Sequence, residues 1–328
     1  MRAAYYERTG RAAEVLTIGE LPEPHAGAGE VRLRMQWSGI NPSDVKSRSG
    51  VRSSHMPFAR VVPHSDGMGV IDEVGEGVPP SRLGERAWVW NAAWGRPDGT
   101  AAQFLVLPAE QAVLLPDASS GEAGACLGIP AMTALHALLV DGGVAGRKVL
   151  VAGGAGAVGH YAIQFARLLG ARQVIATVSD PRKAALAEGA GAHVVIDYRQ
   201  QDVVQCVRAG TAGGGVDRIV EVNLSANALI DVEMLAPRGV LVGYGSADRD
   251  VKLSVSPLIA KGILARFFIV YALSSDERSR ASDLLCRWLA EEKLEHNIAA
   301  RLALKDIAIG HELVEQGQAV GNVVIAME

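Results

Sequence analysis

The run Val149–Gly159, VLVAGGAGAVG, constrains the fold more than any other segment. Three β-branched or apolar residues, Val149, Leu150 and Val151, read as a buried strand. Glycines follow at Gly153, Gly156 and Gly159, and then a helix-like stretch, HYAIQFARLLGA. Strand, glycine turn and helix are the parts of a dinucleotide pyrophosphate site. Glycine lets the backbone turn tightly and approach a phosphate with no Cβ in the way. The helix opening at Ala157 and Val158 then offers free N–H groups and a positive dipole end to the anion. A Gly-rich helix–strand contact without ligand is the plainer alternative.

The rhythm around this run extends the reading. From residue 125 to 271 the apolar runs KVLVAG, QVIATVS, HVVIDY, DRIVEV, GVLVGYG and ARFFIVYAL alternate with helical patterns such as PRKAALAEGAG and DVVQCVRAG. Apolar strands separated by helix-length segments predict a parallel sheet covered on both faces, the doubly wound Rossmann type of α/β fold. Residues 1–124 read differently. EVRLRMQWSGIN alternates apolar and polar residues, GVIDEVGEGV and GERAWVW are short β-rich pieces, and Gly and Pro punctuate them. These predict a β-rich, barrel-like domain. Residues 272–328 open with a helical pattern and close on the strand pattern NVVIAM, so the tail is expected to complete the first domain.

Bulk composition narrows the classes. A chain of 328 residues with 49% hydrophobic content supports two cores. A net charge of −4 gives no basic footprint for nucleic acid. No uncharged apolar stretch reaches the roughly 18 residues of a membrane span, and MRAAYYERTG has no signal core. Cys126, Cys206 and Cys286 are far apart and odd in number, which fits neither a disulfide framework nor a metal knuckle. A soluble, cytoplasmic protein is expected.

Cofactor choice is written at the end of the second strand. An acid about 20 positions past the glycine turn would hold the ribose hydroxyls of NAD. That position falls on Val178. Ser179, Arg182 and Lys183 follow, with Tyr198 and Arg199 after the third strand, and these can meet a ribose phosphate. The expectation is NADP(H). Asp180 is either counter-evidence or the N-cap of the next helix, with Pro181 at its first position. Arg182 and Lys183 can also be read as solvated charges at a helix start.

The segments MRAAYYERTGRAAEVL, SGINPSDVKSRSG, HSDGMGVIDEVGEGV, GTAAQFLVLPAEQAVLLPD, GIPAMTALHAL, VAGGAGAVG, GAHVVIDYR and IGHELVEQGQAVGNVV together resemble the medium-chain dehydrogenase/reductase superfamily, and within it the zeta-crystallin-like quinone oxidoreductases. The resemblance implies a GroES-like catalytic domain beside the Rossmann domain, an active cleft between them, and dimers or tetramers. Zinc-dependent members would carry a cysteine where Asn41 stands and a histidine where Ser65 stands, and residues 85–110 contain no cysteine for a structural zinc lobe. No metal is therefore expected, and His64, one place out of register, reads as a loop residue or one that supports the site from behind.

Without a Lewis acid, substrates that accept hydride readily are favoured: a quinone, or an alkene conjugated to a carbonyl. The resemblance places Asn41 near the nicotinamide, where its amide would donate to a substrate oxygen; it also reads as a turn residue before Pro42. Thr133 matches a threonine beside the nicotinamide ribose, or is a helix hydroxyl bonded to backbone. Lys46 and Arg52 replace aromatics common in the family. They make the site more cationic, suited to a conjugated acid or halogenated acrylate, unless they face solvent. Asn223, Gly243 and Tyr244 end the fourth and fifth strands, where ligands sit in such sheets. Phe268 lies in the last strand, and Asn322 stands where relatives often have lysine for the cofactor. RFFIVYAL would be a hazardous exposed edge, which gives a homodimer expectation. The functional readings are an NADPH-dependent quinone oxidoreductase, an enoyl or enone reductase on the same scaffold, or a non-enzymatic binding protein.

Overall fold

The apolar runs become strands where their β-branched residues can be buried. A computed structural model describes residues 1–327. Before residue 130 it contains β1 (Arg2–Tyr5), β2 (Thr17–Glu20), β3 (Glu30–Ile40), β4 (Asp66–Val74), β5 (Arg86–Val89), β6 (Phe104–Pro108) and β7 (Ala112–Leu114). Then come β8 (Lys148–Val151), β9 (Gln173–Val178), β10 (Val194–Asp197), β11 (Val216–Glu221), β12 (Leu235–Gly243) and β13 (Leu264–Phe267). The chain closes with β14 (Ile298–Ala303) and β15 (Asn322–Ala326).

Contacts divide the chain into two compact units, residues 131–281 and residues 1–130 with the chain from Ser282 onward. In the first, six strands form one sheet in the order β10-β9-β8-β11-β12-β13. Every neighbouring pair is parallel. The order reverses direction at β8, so right-handed crossovers lay the helices on both faces. Leu150, Ile175, Ile196, Ile219 and Leu241 are buried and share one core cluster. Arg218, buried in β11, donates to the carbonyls of Ala137 at 2.7 Å and Val140 at 2.6 Å. It thereby satisfies the open C-terminal end of the helix Met132–Leu139.

The last strand is shorter than its sequence suggests. The run ARFFIVYAL is extended only through Ile269, and Val270–Ala272 turn into a 3₁₀ segment that buries Val270 and Tyr271. All four β13 residues are exposed at the sheet edge.

The other unit holds a seven-stranded sheet, ordered β14-β15-β3-β4-β5-β7 with β6 also paired to β3, and a β1–β2 ribbon. The long antiparallel β3–β4 pair shifts register between Arg32 and Leu33 and between Met35 and Trp37. Such bulges bend a strand and let a sheet curl. Leu33, Ile71, Val89, Leu105 and Leu107 fill the core of this unit. The tail pairs with this sheet, β15 with β3 from Val323↔Ile40 to Ala326↔Trp37. The division falls at Pro130 and Ala281 rather than at 124 and 271. Residues 125–130 pack with β3 and β4 of this β-rich unit, because Gly39 lies directly against the Ala125 carbonyl and Asp66 accepts the Ile129 N–H at 3.1 Å.

Candidate functional site

The glycine turn is built where the sequence places it. Gly153 takes a φ of +67°, a conformation that side chains resist. Its N–H donates to Thr177 Oγ1 at 3.2 Å and the N–H of Gly154 to the Thr177 carbonyl at 2.9 Å, tying the turn to β9. A Cβ on Gly159 would lie 2.2 Å from the Gly153 carbonyl oxygen, so only glycine lets the helix start this close to the turn. The helix Ala157–Leu168 follows, and Gly156 caps it without a side chain. Its first N–H groups, at Ala157, Val158 and Gly159, have no intrahelical acceptor. The residues present fit a dinucleotide pyrophosphate.

At the end of β9 the Asp180 alternatives resolve. Asp180 Oδ1 accepts the Lys183 N–H at 2.9 Å, and Pro181 opens the helix Pro181–Gly189. The carboxylate is thus occupied as an N-cap, which holds it below the usual carboxyl range, chiefly through that backbone N–H. Val178 is buried and carries no charge. Lys183 Nζ donates to Ser179 Oγ at 2.7 Å. The Tyr198 N–H donates to the Val178 carbonyl at 3.0 Å, bringing an exposed phenol to the same corner. Arg182 and Arg199 are exposed, and the Arg199 N–H donates to Asp197.

The remaining candidates of this unit gather at the carboxyl ends of the parallel strands. Asn223 opens the helix Leu224–Met234, and its Oδ1 accepts from Ser225 Oγ at 3.0 Å and the Ala247 N–H at 3.1 Å. Gly243 pairs with Glu221 and Phe267, and a Cβ there would strike Leu224 Cδ1 at 2.5 Å. The Tyr244 N–H donates to the Glu221 carbonyl, and burial pushes its phenol upward. Phe268 packs its ring edge-on to His136, centroids 4.5 Å apart. Thr133 is buried in the first turn of Met132–Leu139. Two residues here were not singled out by sequence. Glu221 and Asp231 are buried carboxyls in mutual contact. Burial, then the Glu221 charge, holds Asp231 protonated well above the ordinary carboxyl range. Glu221 Oε1 accepts the Asn223 N–H and Asn227 Nδ2 and so shapes the turn after β11.

In the other unit Asn41 follows β3 and is the N-cap of the helix Pro42–Ser49. It forms a capping box with Asp44, whose Oδ2 accepts the Asn41 N–H at 2.8 Å. Asn41 Nδ2 also donates to Asp66 Oδ2 at 2.9 Å. Asn41 is 3% exposed and Asp66 fully buried. Burial pushes the Asp66 carboxyl well above its ordinary value and the Asp44 carboxyl up to about 7. Lys46 is exposed on that helix. Arg52 is also exposed, with its guanidinium 4.9 Å from the Trp94 ring centroid and its N–H donated to the Lys46 carbonyl.

Asn322, the last cofactor candidate, opens β15. It is buried, and its N–H and Nδ2 both donate to the Asn297 carbonyl, at 2.9 and 3.1 Å. Its amide holds the start of β15. Ser65 is buried where a zinc-ligating histidine would stand, and among the described residues no three His, Cys, Asp or Glu side chains gather to hold a metal. His64 lies in the loop before β4. It is buried at a φ of +78°, with Nε2 2.9 Å from His311 Nε2 and Nδ1 2.7 Å from Ser38 Oγ. The only sequence signals for this pair and for Asp66 were the HSD and GHEL runs.

Comparison with known proteins follows this geometry. Residues 27–117 match the alcohol dehydrogenase GroES-like domain family, and residues 157–287 match the zinc-binding dehydrogenase family. A 2-haloacrylate reductase from Burkholderia sp is 30% identical over 309 residues, covering 91% of each chain. A quinone oxidoreductase from Rattus norvegicus is 25% identical, covering 96% of this chain and 94% of that one. The crystal structure of Escherichia coli quinone oxidoreductase complexed with NADPH superposes with a TM-score of 0.88 at 25% identity, over 100% of both chains. With the glycine turn, the sheet order and both family matches in agreement, the chain belongs to the medium-chain dehydrogenase/reductase superfamily and is similar to its quinone oxidoreductases.

Proposed function

We propose that this protein is a zinc-independent oxidoreductase that transfers hydride from NADPH to a quinone. The observation that carries the cofactor assignment is the corner after β9. Ser179, Lys183 and Tyr198 meet there around a strand end that lacks the ribose-binding acid, while Asp180 is occupied by its own helix. In this reading they hold the ribose phosphate, with Arg182 and Arg199 at its rim. Gly153, Gly156, Ala157, Val158 and Gly159 hold the pyrophosphate. Asn223, Gly243, Tyr244, Thr133 and Phe268 shape the nicotinamide end. When bound, NADPH supplies the hydride. The chain's own task is to orient the reactants, exclude water and stabilise charge developing on the substrate oxygen. Asn41 is the donor for that oxygen, through the amide hydrogen not given to Asp66. Asn41 and Ser65 stand at positions where a zinc site of this fold would need cysteine and histidine, which fits a metal-free reaction.

A second reading, reduction of an activated alkene bearing a carboxylate, draws on two observations. Lys46 and Arg52 are exposed cations beside the Asn41 helix, and the relative that is 30% identical is a 2-haloacrylate reductase. A steady-state panel of benzoquinones, naphthoquinones, enones and acrylates tests the choice. Quinones turning over fastest supports the first reading, and faster turnover on every alkene overturns it. The proposal includes a cytoplasmic homodimer joined through the exposed β13 edge, where Phe267 is 54% exposed. Sedimentation of Phe267→Asp as a monomer, against a dimeric parent, tests the assembly.

A further inference from the structure

The capping box is not the only contact that orients Asn41. Its amide leans on Asp66 Oδ2, and the same oxygen accepts the Ile129 N–H. Behind Asp66 runs a line of buried polar groups. Thr100 Oγ1 lies 2.5 Å from the Asp66 carbonyl oxygen, Ser38 Oγ 2.6 Å from Thr100 Oγ1, His64 Nδ1 2.7 Å from Ser38 Oγ, and His311 Nε2 2.9 Å from His64 Nε2. All five residues are buried.

Counting hydrogens fixes the direction of every bond in this line. A carbonyl oxygen can only accept, so Thr100 gives its single hydroxyl hydrogen to Asp66. Thr100 then has only lone pairs left for Ser38, so Ser38 donates to Thr100. Ser38 in turn has no hydrogen for His64, so His64 donates from Nδ1. Burial holds His64 neutral, with its pKa down at about 3. Its Nε2 is therefore bare and must accept. His311 supplies that hydrogen from its own Nε2, which leaves His311 Nδ1 bare, and among the described residues that atom is buried with no partner. Desolvation first, then the repulsion that a proton on His64 would add, and then Arg48 oppose a proton there. The line therefore runs one way, from His311 to Asp66.

We propose that Asp66 is a positioning residue that aims the Asn41 amide, and that the chain His311–His64–Ser38–Thr100 sets Asp66 in place. This deepens the reading of Asn41 as the substrate-oxygen donor and rests on it. A buried chain in which each member has one choice of donor removes alternative orientations. Asp66 presents Oδ2 to Asn41 because its backbone carbonyl is anchored on the other side. The second amide hydrogen of Asn41 then points in one direction rather than sampling several. Preorganised donors of this kind act on the transition state, because no reorientation accompanies the reaction.

Two measurements test the proposal. Ring ¹⁵N and ¹³C NMR of the intact protein reads the tautomers directly. The expected spectrum shows His64 as the Nδ1–H form and His311 as the Nε2–H form. An Nε2–H His64 overturns the proposal. The second measurement is kinetic. Thr100→Val keeps the shape and removes the hydroxyl, while Thr100→Ser restores it. Thr100→Val is expected to lower kcat about tenfold, below the roughly 10²–10³ lost with a whole donor of an enclosed oxyanion site, with substrate KM and NADPH affinity unchanged, and Thr100→Ser to recover most of the loss. Adding Thr100→Val to Asn41→Ala should cost nothing further, since both act through one amide. Additive losses overturn the proposal. So does an unimpaired Thr100→Val beside an impaired Asn41→Ala, which leaves the donor reading standing. An unimpaired kcat in Asn41→Ala overturns the donor reading and this proposal together.

Discussion

Lys183 Nζ sits 2.7 Å from Ser179 Oγ and 3.3 Å from Asp180 Oδ2, so the lysine is aimed at the end of β9 rather than extended into solvent. An anion arriving beside Ser179 meets a cation already in position. Lys183→Ala should weaken NADPH about tenfold or more, the equivalent of a charge-assisted hydrogen bond of roughly 1.5–3 kcal/mol, and weaken NADH much less. Paired fluorescence titrations with the two cofactors measure this. Equal losses would mean that Lys183 does not read the phosphate.

Gly159 offers a sharper test of the turn. Alanine there brings its Cβ 2.2 Å from a backbone carbonyl that cannot swing aside. The turn or the helix must move. Gly159→Ala is expected to lose NADPH affinity by more than about tenfold, the scale of losing one phosphate hydrogen bond, and to melt at a lower temperature. A variant that binds NADPH normally would show that the pyrophosphate lies elsewhere.

Asn41 is a helix cap and the proposed substrate-oxygen donor, and one substitution reads both. Asn41→Ala should destabilise the fold by about 1 kcal/mol through the lost cap. It should also lower kcat and kcat/KM together by about tenfold, less than for a fully enclosed oxyanion site because water can also protonate a hydroquinone oxygen. NADPH affinity should stay near that of the parent. A lower melting temperature with undiminished turnover would leave Asn41 with the cap alone.

The buried histidine pair makes the protein acid-sensitive. Burial depresses both imidazoles, His64 to about 3. In the unfolded chain each takes up a proton below about pH 6.5, while the folded state does not. Stability is therefore lost as pH falls from about 6.5 toward 3, by about 1.4 kcal/mol per pH unit for each histidine. His311→Gln keeps a donor for His64 and removes one titrating group. Its denaturant midpoint should fall less than that of the parent between pH 7 and pH 5, by roughly 2 kcal/mol of stability. An unchanged pH profile would place a proton on the folded pair.

Asp231 acts in the opposite sense. Its folded pKa is raised by burial and by Glu221, so the folded state holds a proton that the unfolded chain gives up above the ordinary carboxyl range. Stability from this group is greatest in acid and falls as pH rises toward its folded pKa. Asp231→Asn can still donate to Glu221 and has no proton to lose. It should melt higher than the parent at pH 8, with a smaller advantage at pH 5. A parent-like difference between the two pH values would show Asp231 ionised in the fold.

The nucleotide-binding unit was readable from sequence because each step of its grammar is local. Buried parallel strands are continuous apolar runs, the glycine spacing spans a single turn, and Val178 follows from counting along one strand. The same runs misled at ARFFIVYAL, where β-propensity does not reveal that Val270 and Tyr271 turn inward. The polar line behind Asn41 was not readable. Ser38 and His64 are 26 residues apart, and His64 and His311 are 247 apart. Only the β3–β4 pairing and the helix Ile307–Glu315 bring them together. Asn322 shows the same limit, since nothing in its neighbourhood announces the Asn297 carbonyl opposite it.

The pairing of β15 with β3 gives this protein an order of assembly. A ribosome delivers residues 1–130 first, yet the sheet they belong to gains its β15 ladder only after residues 322–326 emerge. The nucleotide-binding unit, one continuous segment, is free to fold in the interval. His311 is also a late arrival, so until it is made the line behind Asn41 lacks the hydrogen that His64 Nε2 accepts. On the proposed role of this line, the Asn41 amide acquires its direction only once residue 311 has been made, long after the Asn41 segment itself. A chain cut short before residue 311 keeps the complete glycine turn and lacks that direction.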